Sequence, residues 1–226
     1  MTTRAPKSMW SLETLGRTRL SRHFFMRDFF FSEISAFHGI PNIPDDPDTM
    51  ITAAQGLAQN LLDPMVETFG PLAIRSGYRS PTLNQFGNDN KLNCSHNRAN
   101  KAQRMWDYRD DNGHIGACVS VVIPWFADQY GDHPHPRRDW RDLAYWLHDH
   151  IPYSAIWFFP KLACFNLTWN EQPKRTISSY IAPRGTLLAA NAEPSETLKQ
   201  RQKRYADFPP FRAITYPETP DTWSAA

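Results

Sequence analysis

The sequence predicts an α+β fold, in which a small mixed or antiparallel sheet packs against helices and a C-terminal tail stays extended. Residues 49–68 carry apolar side chains at helical spacing, which predicts one long amphipathic helix. Residues 72–74 form a short apolar run directly after it, and residues 115–123 are rich in β-branched side chains. Both runs are typical of buried strands, so helical and strand patterns alternate along the chain.

The N-terminal part is predicted to be an arm followed by two helices. Residues 1–21 are polar, basic and poorly periodic, which favours an arm with one short helix. Ser32 starts a second helical pattern, and Thr49 is a suitable N-cap for the long helix. Pro64 lies inside that helix and should kink it, because proline lacks the backbone N–H that the helix uses.

A tight turn follows the first strand, with the sequence Ser-Gly-Tyr-Arg-Ser-Pro at residues 76–81. Glycine permits backbone angles that other residues avoid, and the final proline favours an extended conformation for the serine before it. A turn of this kind places its central side chains, Tyr78 and Arg79, at the edge of any site that forms at the end of the strand.

Polar residues dominate the stretch 85–110, in which asparagine is frequent. Ser95 is a suitable cap for a short helix that runs to about Asp107. A long polar excursion of this kind is either functional or disordered, and Trp106 and Tyr108 favour an ordered one. We therefore expect the excursion to form one side of a site next to the turn.

The C-terminal half is predicted to supply one more helix and a hairpin. The helix extends from Asp139 to His150 and carries an apolar stripe. Residues 153–159 and 163–169 are predicted strands, and the hairpin that they form completes the sheet. The pattern dissolves from residue 173 onward, so residues 186–226 are expected to be a tail that lies on the domain or on a partner.

Composition narrows the classes of function. The 226 residues include 25 Lys and Arg against 23 Asp and Glu, and a net charge of +2 does not by itself argue for nucleic acid. No stretch reaches the roughly 18 apolar residues that a membrane helix needs. No signal peptide is visible, so we expect a cytoplasmic protein without a membrane partner. Cys94, Cys118 and Cys164 are irregularly spaced and are expected to be reduced thiols.

The turn at 76–81, followed by Asn84, resembles the most recognisable segment of the M15 peptidase family. These proteins are zinc D-alanyl-D-alanine carboxypeptidases and related endolysins. Further matching positions are Phe24 to Phe29, Ser32, Ala36, Gly39 to Asn42, Pro44, Leu57, Leu61, Leu62 and Pro64. The resemblance covers residues 22–84 and is weak afterwards. It implies a hedgehog/DD-peptidase fold for residues 22–185 and a bacterial or phage setting.

The same resemblance implies a zinc site whose ligands this sequence does not repeat. M15 peptidases hold zinc through the motif Ser-x-His-x-x-Gly-x-Ala-x-Asp and a late His that follows a catalytic carboxylate. Alignment on Gly116 puts Gly113 at the first ligand and Ser120 at the aspartate, and neither is a useful zinc donor. The late strand, 164–169, contains no histidine and no carboxylate. We therefore expect a pseudoenzyme with no zinc at the family position and no assigned catalytic residue.

A substitute zinc site is the first alternative. Ser95-His96 repeats part of the motif, and His96, Asp107 and His114 would converge if the excursion folded back over the strand at 115–123. The protein would then be an active metallo-hydrolase or peptidase with a remodelled site. A nucleic-acid-associated protein is the second alternative. It would use Arg98, Lys101, Arg104 and the basic run at 199–204.

Arg79 is the main surviving feature of the resemblance, since its equivalent in the family helps to bind the substrate's carboxylate or the developing oxyanion. A guanidinium group binds such anions through two parallel hydrogen bonds. The ligand-binding residues that we predict are Tyr78, Arg79, Asn84, His96, Trp106 and Asp107. Together they predict binding without hydrolysis of a peptide-like or carboxylate ligand, or of a protein partner.

Overall fold

A six-stranded sheet forms the centre of the fold. The computed structural model describes residues 4–130 and 138–216. The strands are β1 (Ala73–Ser76), β2 (Gly116–Val122), β3 (Ala155–Phe158), β4 (Phe165–Asn170), β5 (Thr176–Ser179) and β6 (Gly185–Leu188). Their order is β1-β2-β4-β3-β5-β6, and all neighbouring pairs are antiparallel except β3 and β5. This mixed sheet confirms the predicted α+β fold class.

Short helices connect and cover these strands. They are α1 (Met9–Gly16), α2 (Glu33–His38), α3 (Pro47–Leu57), α4 (Asp63–Phe69), α5 (Pro81–Asp89), α6 (Asn97–Asn100), α7 (Pro124–Ala127), α8 (Trp140–His150) and α9 (Leu198–Arg204). Within the described ranges, no helix is long and apolar enough to cross a membrane. The predicted helix at 139–150 is confirmed as α8.

The long helix predicted at 49–68 begins earlier and changes its winding midway. Its N-cap is Asp46, whose carboxylate accepts a hydrogen bond from the Thr49 N–H at 3.2 Å, so the prediction of Thr49 as the cap is wrong. A π-helical turn, Ala58–Leu62, joins α3 to α4, and Pro64 follows it at the start of α4. The disturbance expected from the proline is therefore a wider helical turn next to it.

One face of the sheet is covered by helices, and the other, the open face, is partly exposed. α3 packs against β2 and β4, and it can approach closely because residue 56 is glycine. A Cβ atom added at Gly56 would lie 2.5 Å from the Trp169 ring. Val119 and Val121 are fully buried on this side, whereas Ser120 between them is partly exposed. The open face therefore carries Ser120 of β2, while Cys118 and Val122 on the same side of that strand are buried.

The segment after the turn at 76–81 is more helical than predicted. Ser80 caps α5, and its Oγ accepts a hydrogen bond from the Leu83 N–H at 3.3 Å. Pro81 suits the first helical position, because the N–H that it lacks would have no partner there. The helix predicted from Ser95 to Asp107 is wrong in extent, since only α6 is helical and turns make up much of the rest.

Of the two alternatives predicted for 186–226, the described part lies on the domain, and it contains a strand and a helix in place of a wholly extended tail. β6 adds a strand to the sheet, and α9 packs on α8. Arg201 of α9 forms a partly buried ion pair with Asp149 of α8, with 2.7 Å between Nη2 and Oδ1. Phe208 is 7% exposed and packs into the core. Partners distant in sequence hold this segment, so local periodicity does not reveal it.

Candidate functional site

A cleft of about 800 Å³ opens on the uncovered face of the sheet. A second cleft of about 790 Å³ adjoins it. The two share Ser76, Asn93, Ser120 and Phe159, so residues of β1, β2 and the polar excursion line both. They form one continuous depression at the place where the turn at 76–81 leaves the sheet.

Arg104 lies across the floor of the cleft and is only 8% exposed. Its Nη2 donates to Ser120 Oγ at 2.6 Å and to Asn166 Oδ1 at 2.8 Å. Its Nη1 donates to the carbonyl oxygens of Ser76 at 2.8 Å and Cys118 at 3.2 Å. These bonds fix a positive charge in the floor, because each neighbour accepts from the guanidinium group.

Ser120 and Asn166 are the positions that the M15 resemblance matches to zinc-binding strands. They are paired residues of β2 and β4, and Ser120 Oγ donates to Asn166 Oδ1 at 2.6 Å. Both side chains are neutral and both accept a hydrogen bond from Arg104. The two side chains therefore hold the guanidinium group of Arg104. An anionic aspartate at such a position would instead bind a metal ion.

Arg79 lines the same cleft. Its Nη1 donates to Asn84 Oδ1 at 3.0 Å and contacts Cys94 Sγ at 2.9 Å, and the cysteines of the chain form no disulfide. Burial lowers the pKa of Arg79; the Cys94 sulfur opposes this effect, and the charge of Arg104 adds to it. Its Nε and Nη2 donate to no residue in the described ranges. Two donors of this guanidinium group are thus open to a ligand.

Positive side chains outnumber carboxylates in this depression. Arg79 and Arg104 line the first cleft, and Arg75 and Lys161 line the second. Among the described residues that line the two clefts, Glu33 supplies the one carboxylate. A recess with this charge distribution favours an anionic ligand.

The aromatic side of the cleft is not the predicted one. Trp106 is fully buried, and its ring packs against Phe29 with 5.3 Å between centroids, so the prediction of Trp106 as a ligand contact is wrong. Trp157 and Tyr180 line the cleft instead, with 5.2 Å between their ring centroids. Strand alternation is the signal that could have found Trp157, since its neighbours Ile156 and Phe158 face the core.

Tyr78 and Asp107 also belong to the core, in contrast to their predicted place in the cleft. Tyr78 is 1% exposed, and its hydroxyl donates to Asp107 Oδ2 at 2.9 Å. Burial raises the pKa of Asp107, whose Oδ1 has no hydrogen-bond partner among the described residues. The turn directs Tyr78 inward because it is pressed against Phe29, whose carbonyl accepts from the Tyr78 N–H at 3.0 Å. Only glycine fits at 77, since a Cβ there would lie 2.6 Å from that oxygen.

Asn84 and His96 have supporting positions. Asn84 is fully buried, and its Nδ2 donates to the Ser95 carbonyl at 2.9 Å while its Oδ1 accepts from Arg79. It therefore orients the guanidinium group. His96 is exposed and is the N-cap of α6, where its Nδ1 accepts from the Ala99 N–H at 3.3 Å. A role in ligand binding stays a prediction for both residues.

The three residues of the alternative metal site do not converge. His96 caps α6, and Asp107 accepts a hydrogen bond from the Tyr78 hydroxyl. His114 lies beside Asp110, with 3.7 Å between Nδ1 and Oδ1. In the part of the chain that the structure describes, no group of three His, Cys, Asp or Glu side chains could hold a metal ion. The excursion does return to β2, where Arg104 donates to Cys118 and Ser120, but it does not bring these three side chains together.

The arginines of the basic run at 199–204 are engaged in ion pairs. Arg201 pairs with Asp149, and Arg204 Nη2 lies 2.6 Å from Glu196 Oε1. Arg98 likewise pairs with Asp111 at 2.8 Å, and Arg104 is buried in the cleft floor. Binding of nucleic acid therefore stays a prediction. Few of the arginines proposed for it are free of an ion pair or of burial.

Comparisons with protein-family models, with curated proteins and with solved structures gave no match for this chain. The function is therefore inferred from the geometry of the cleft and from the residues that resemble the M15 family.

Proposed function

We propose that the protein is a catalytically degenerate M15-peptidase-like binding module, whose cleft holds the carboxylate of a peptide-like ligand at Arg79. The observation that carries this proposal is the pair of arginines in one cleft. Arg104 is fixed on Ser120 and Asn166, while Arg79 keeps two donors without a partner in the described ranges. A fixed charge beside a guanidinium fork is an arrangement suited to a carboxylate.

Electrostatics support an anion at this place. Two guanidinium groups that face the same cleft repel each other, and part of their hydration is lost because both are largely buried. An anionic ligand would relieve both costs. A charge-assisted bidentate contact of this kind contributes on the order of 1.5 to 3 kcal/mol.

The side chains at the matched positions support binding without hydrolysis. At the positions that the resemblance assigns to zinc ligands, Gly113 has no side chain and Ser120 is bound to Arg104. Asn166, in the strand matched to that of the late histidine, accepts from the same group. These residues support binding, and they supply neither a zinc ligand nor a general base.

Arg79→Lys tests the proposal, because lysine keeps the charge and loses the fork. With acetyl-dialanine as the probe, calorimetry should show affinity weakened about tenfold or more in the variant. The C-terminally amidated peptide is the control and should bind neither form well. Unchanged affinity together with a lower melting temperature would make Arg79 a structural brace and would end the proposal.

A further inference from the structure

A row of partly exposed side chains crosses the open face of the sheet. Ser120 is paired with Asn166, Asn166 with Trp157, Trp157 with Ser178, and Ser178 with Thr186. The row thus includes one residue from each of β2, β4, β3, β5 and β6. It begins in the floor of the cationic cleft and ends on the edge strand β6.

The far half of this row lies in a third recess, of about 340 Å³. This recess shares Asn166 and Trp157 with the cationic cleft, so the two adjoin and together form one groove along the row. Hydroxyl groups of Thr176, Ser178 and Thr186 are part of its lining, and the described lining residues include no charged side chain. The groove is therefore cationic at one end and neutral at the other.

We propose that this groove binds an extended peptide, with its C-terminal carboxylate at Arg79 and its preceding residues over Trp157 towards Thr186. The inference rests on the proposed function and adds the length and direction of the ligand. Charge sets the direction, because the anionic end of a peptide prefers the arginines. The hydroxyl groups can both donate to and accept from main-chain amides, which suits the uncharged body of the peptide.

The dimensions give the length of the ligand. Four strand spacings of about 4.8 Å separate β2 from β6, so the row is roughly 19 Å long. An extended chain rises about 3.3 Å per residue, which corresponds to about five or six residues. Trp157, which is 41% exposed, lies midway along the row and offers its ring to one side chain of the peptide.

Acetylated alanine peptides with a free carboxylate, from two to six residues, test the proposal by calorimetry. The dissociation constant should fall at least tenfold between the dipeptide and the pentapeptide. Thr186→Trp should abolish that gain and leave the dipeptide within twofold of the parent protein, since Thr186 is far from Arg79 and exposed on the edge strand. The matched control is Thr52→Trp, at an exposed threonine of α3, which should retain the gain.

The outcomes separate this inference from the proposed function. If the dipeptide binds and depends on Arg79 but longer peptides bind no better, the groove is wrong and the carboxylate site stands. If none of the peptides binds, whatever its length, both the groove and the carboxylate site are overturned. If a neutral hexasaccharide such as chitohexaose binds and Thr186→Trp prevents it while peptides fail, the groove is a glycan site and the peptide assignment is overturned.

Discussion

Among single residues, Arg104 shows how hydrogen bonds stabilise a buried charge. Both Nη atoms of its guanidinium group donate to acceptors, which are two side chains and the carbonyl oxygens of two strands, and these bonds offset the cost of burying the charge. The acceptors come from β1, β2 and β4. The residue thus both ties three strands together and supplies the charge in the floor of the cleft.

Asp107 is the opposite case, a buried carboxyl group with one oxygen unpartnered among the described residues. Burial raises its pKa, although the Asp45 N–H and the Tyr78 hydroxyl oppose this effect. The folded protein therefore binds more protons than the unfolded chain between the two pKa values. Stability from this group is fully present below the unfolded pKa and is lost as pH rises through the folded one.

Asp107→Asn should remove this dependence. Urea unfolding at several pH values should show the parent protein losing stability relative to the variant as pH rises from about 4 to 7. Asp111→Asn, at an exposed position, is the control for a general effect of removing a carboxylate. A parent protein that gains stability relative to Asp107→Asn over this range would contradict the raised pKa.

At the scale of secondary-structure elements, the contact between α3 and β4 depends on the absence of one side chain. Gly56 lies against Trp169, and a Cβ there would meet the indole ring at 2.5 Å. Glycine costs a helix interior about 1 kcal/mol relative to alanine. Glycine at this position therefore allows close packing of the helix on the sheet, although it lowers the intrinsic stability of the helix.

Gly56→Ala should destabilise the protein by about 1 to 3 kcal/mol, because overpacking outweighs the gain in helix propensity. Thermal unfolding is the measurement. Trp169→Leu should reduce the cost of the alanine, so the two substitutions together should be less harmful than the sum of the two alone. A melting temperature that rises in Gly56→Ala would show that the helix can shift away from the ring.

At the scale of the whole molecule, the C-terminal segment is part of the core. Phe208 packs against Phe69, Trp125 and Phe126, with 6.0, 5.1 and 6.0 Å between ring centroids. The Arg201 to Asp149 ion pair holds α9 on α8 next to this cluster. The last described residue, Tyr216, donates its hydroxyl to Asp63 of α4.

Phe208→Ala should therefore lower the free energy of unfolding by about 3 to 5 kcal/mol, the usual cost of removing a buried ring. Chemical denaturation with a single transition would show that the segment unfolds with the domain. Phe37→Ala, at a ring that is 85% exposed, should change stability by less than about 0.5 kcal/mol. Equal effects of the two substitutions would mean that the segment is only loosely attached.

Local patterns in the sequence were sufficient for the elements with strong periodicity. The β-branched run at 115–123 is β2, the amphipathic pattern at 139–150 is α8, and the apolar stripe at 49–68 lies in α3 and α4. The two helical patterns result from burial of one helix face, and the run at 115–123 results from burial of β2 on both faces. Both kinds of pattern are visible in neighbouring residues. The fold class follows from them.

The tertiary structure alone decided which side chains meet in the cleft. Arg104 reaches Asn166, 62 residues away, and Trp157 takes the place predicted for Trp106. Strand order and register set these pairings, and both depend on contacts between distant segments that local periodicity does not encode. Local sequence patterns are thus enough to predict that Arg79 follows a strand in a tight turn. Only the packing of that turn on Phe29 determined that Tyr78 enters the core while Arg79 faces the open side of the sheet.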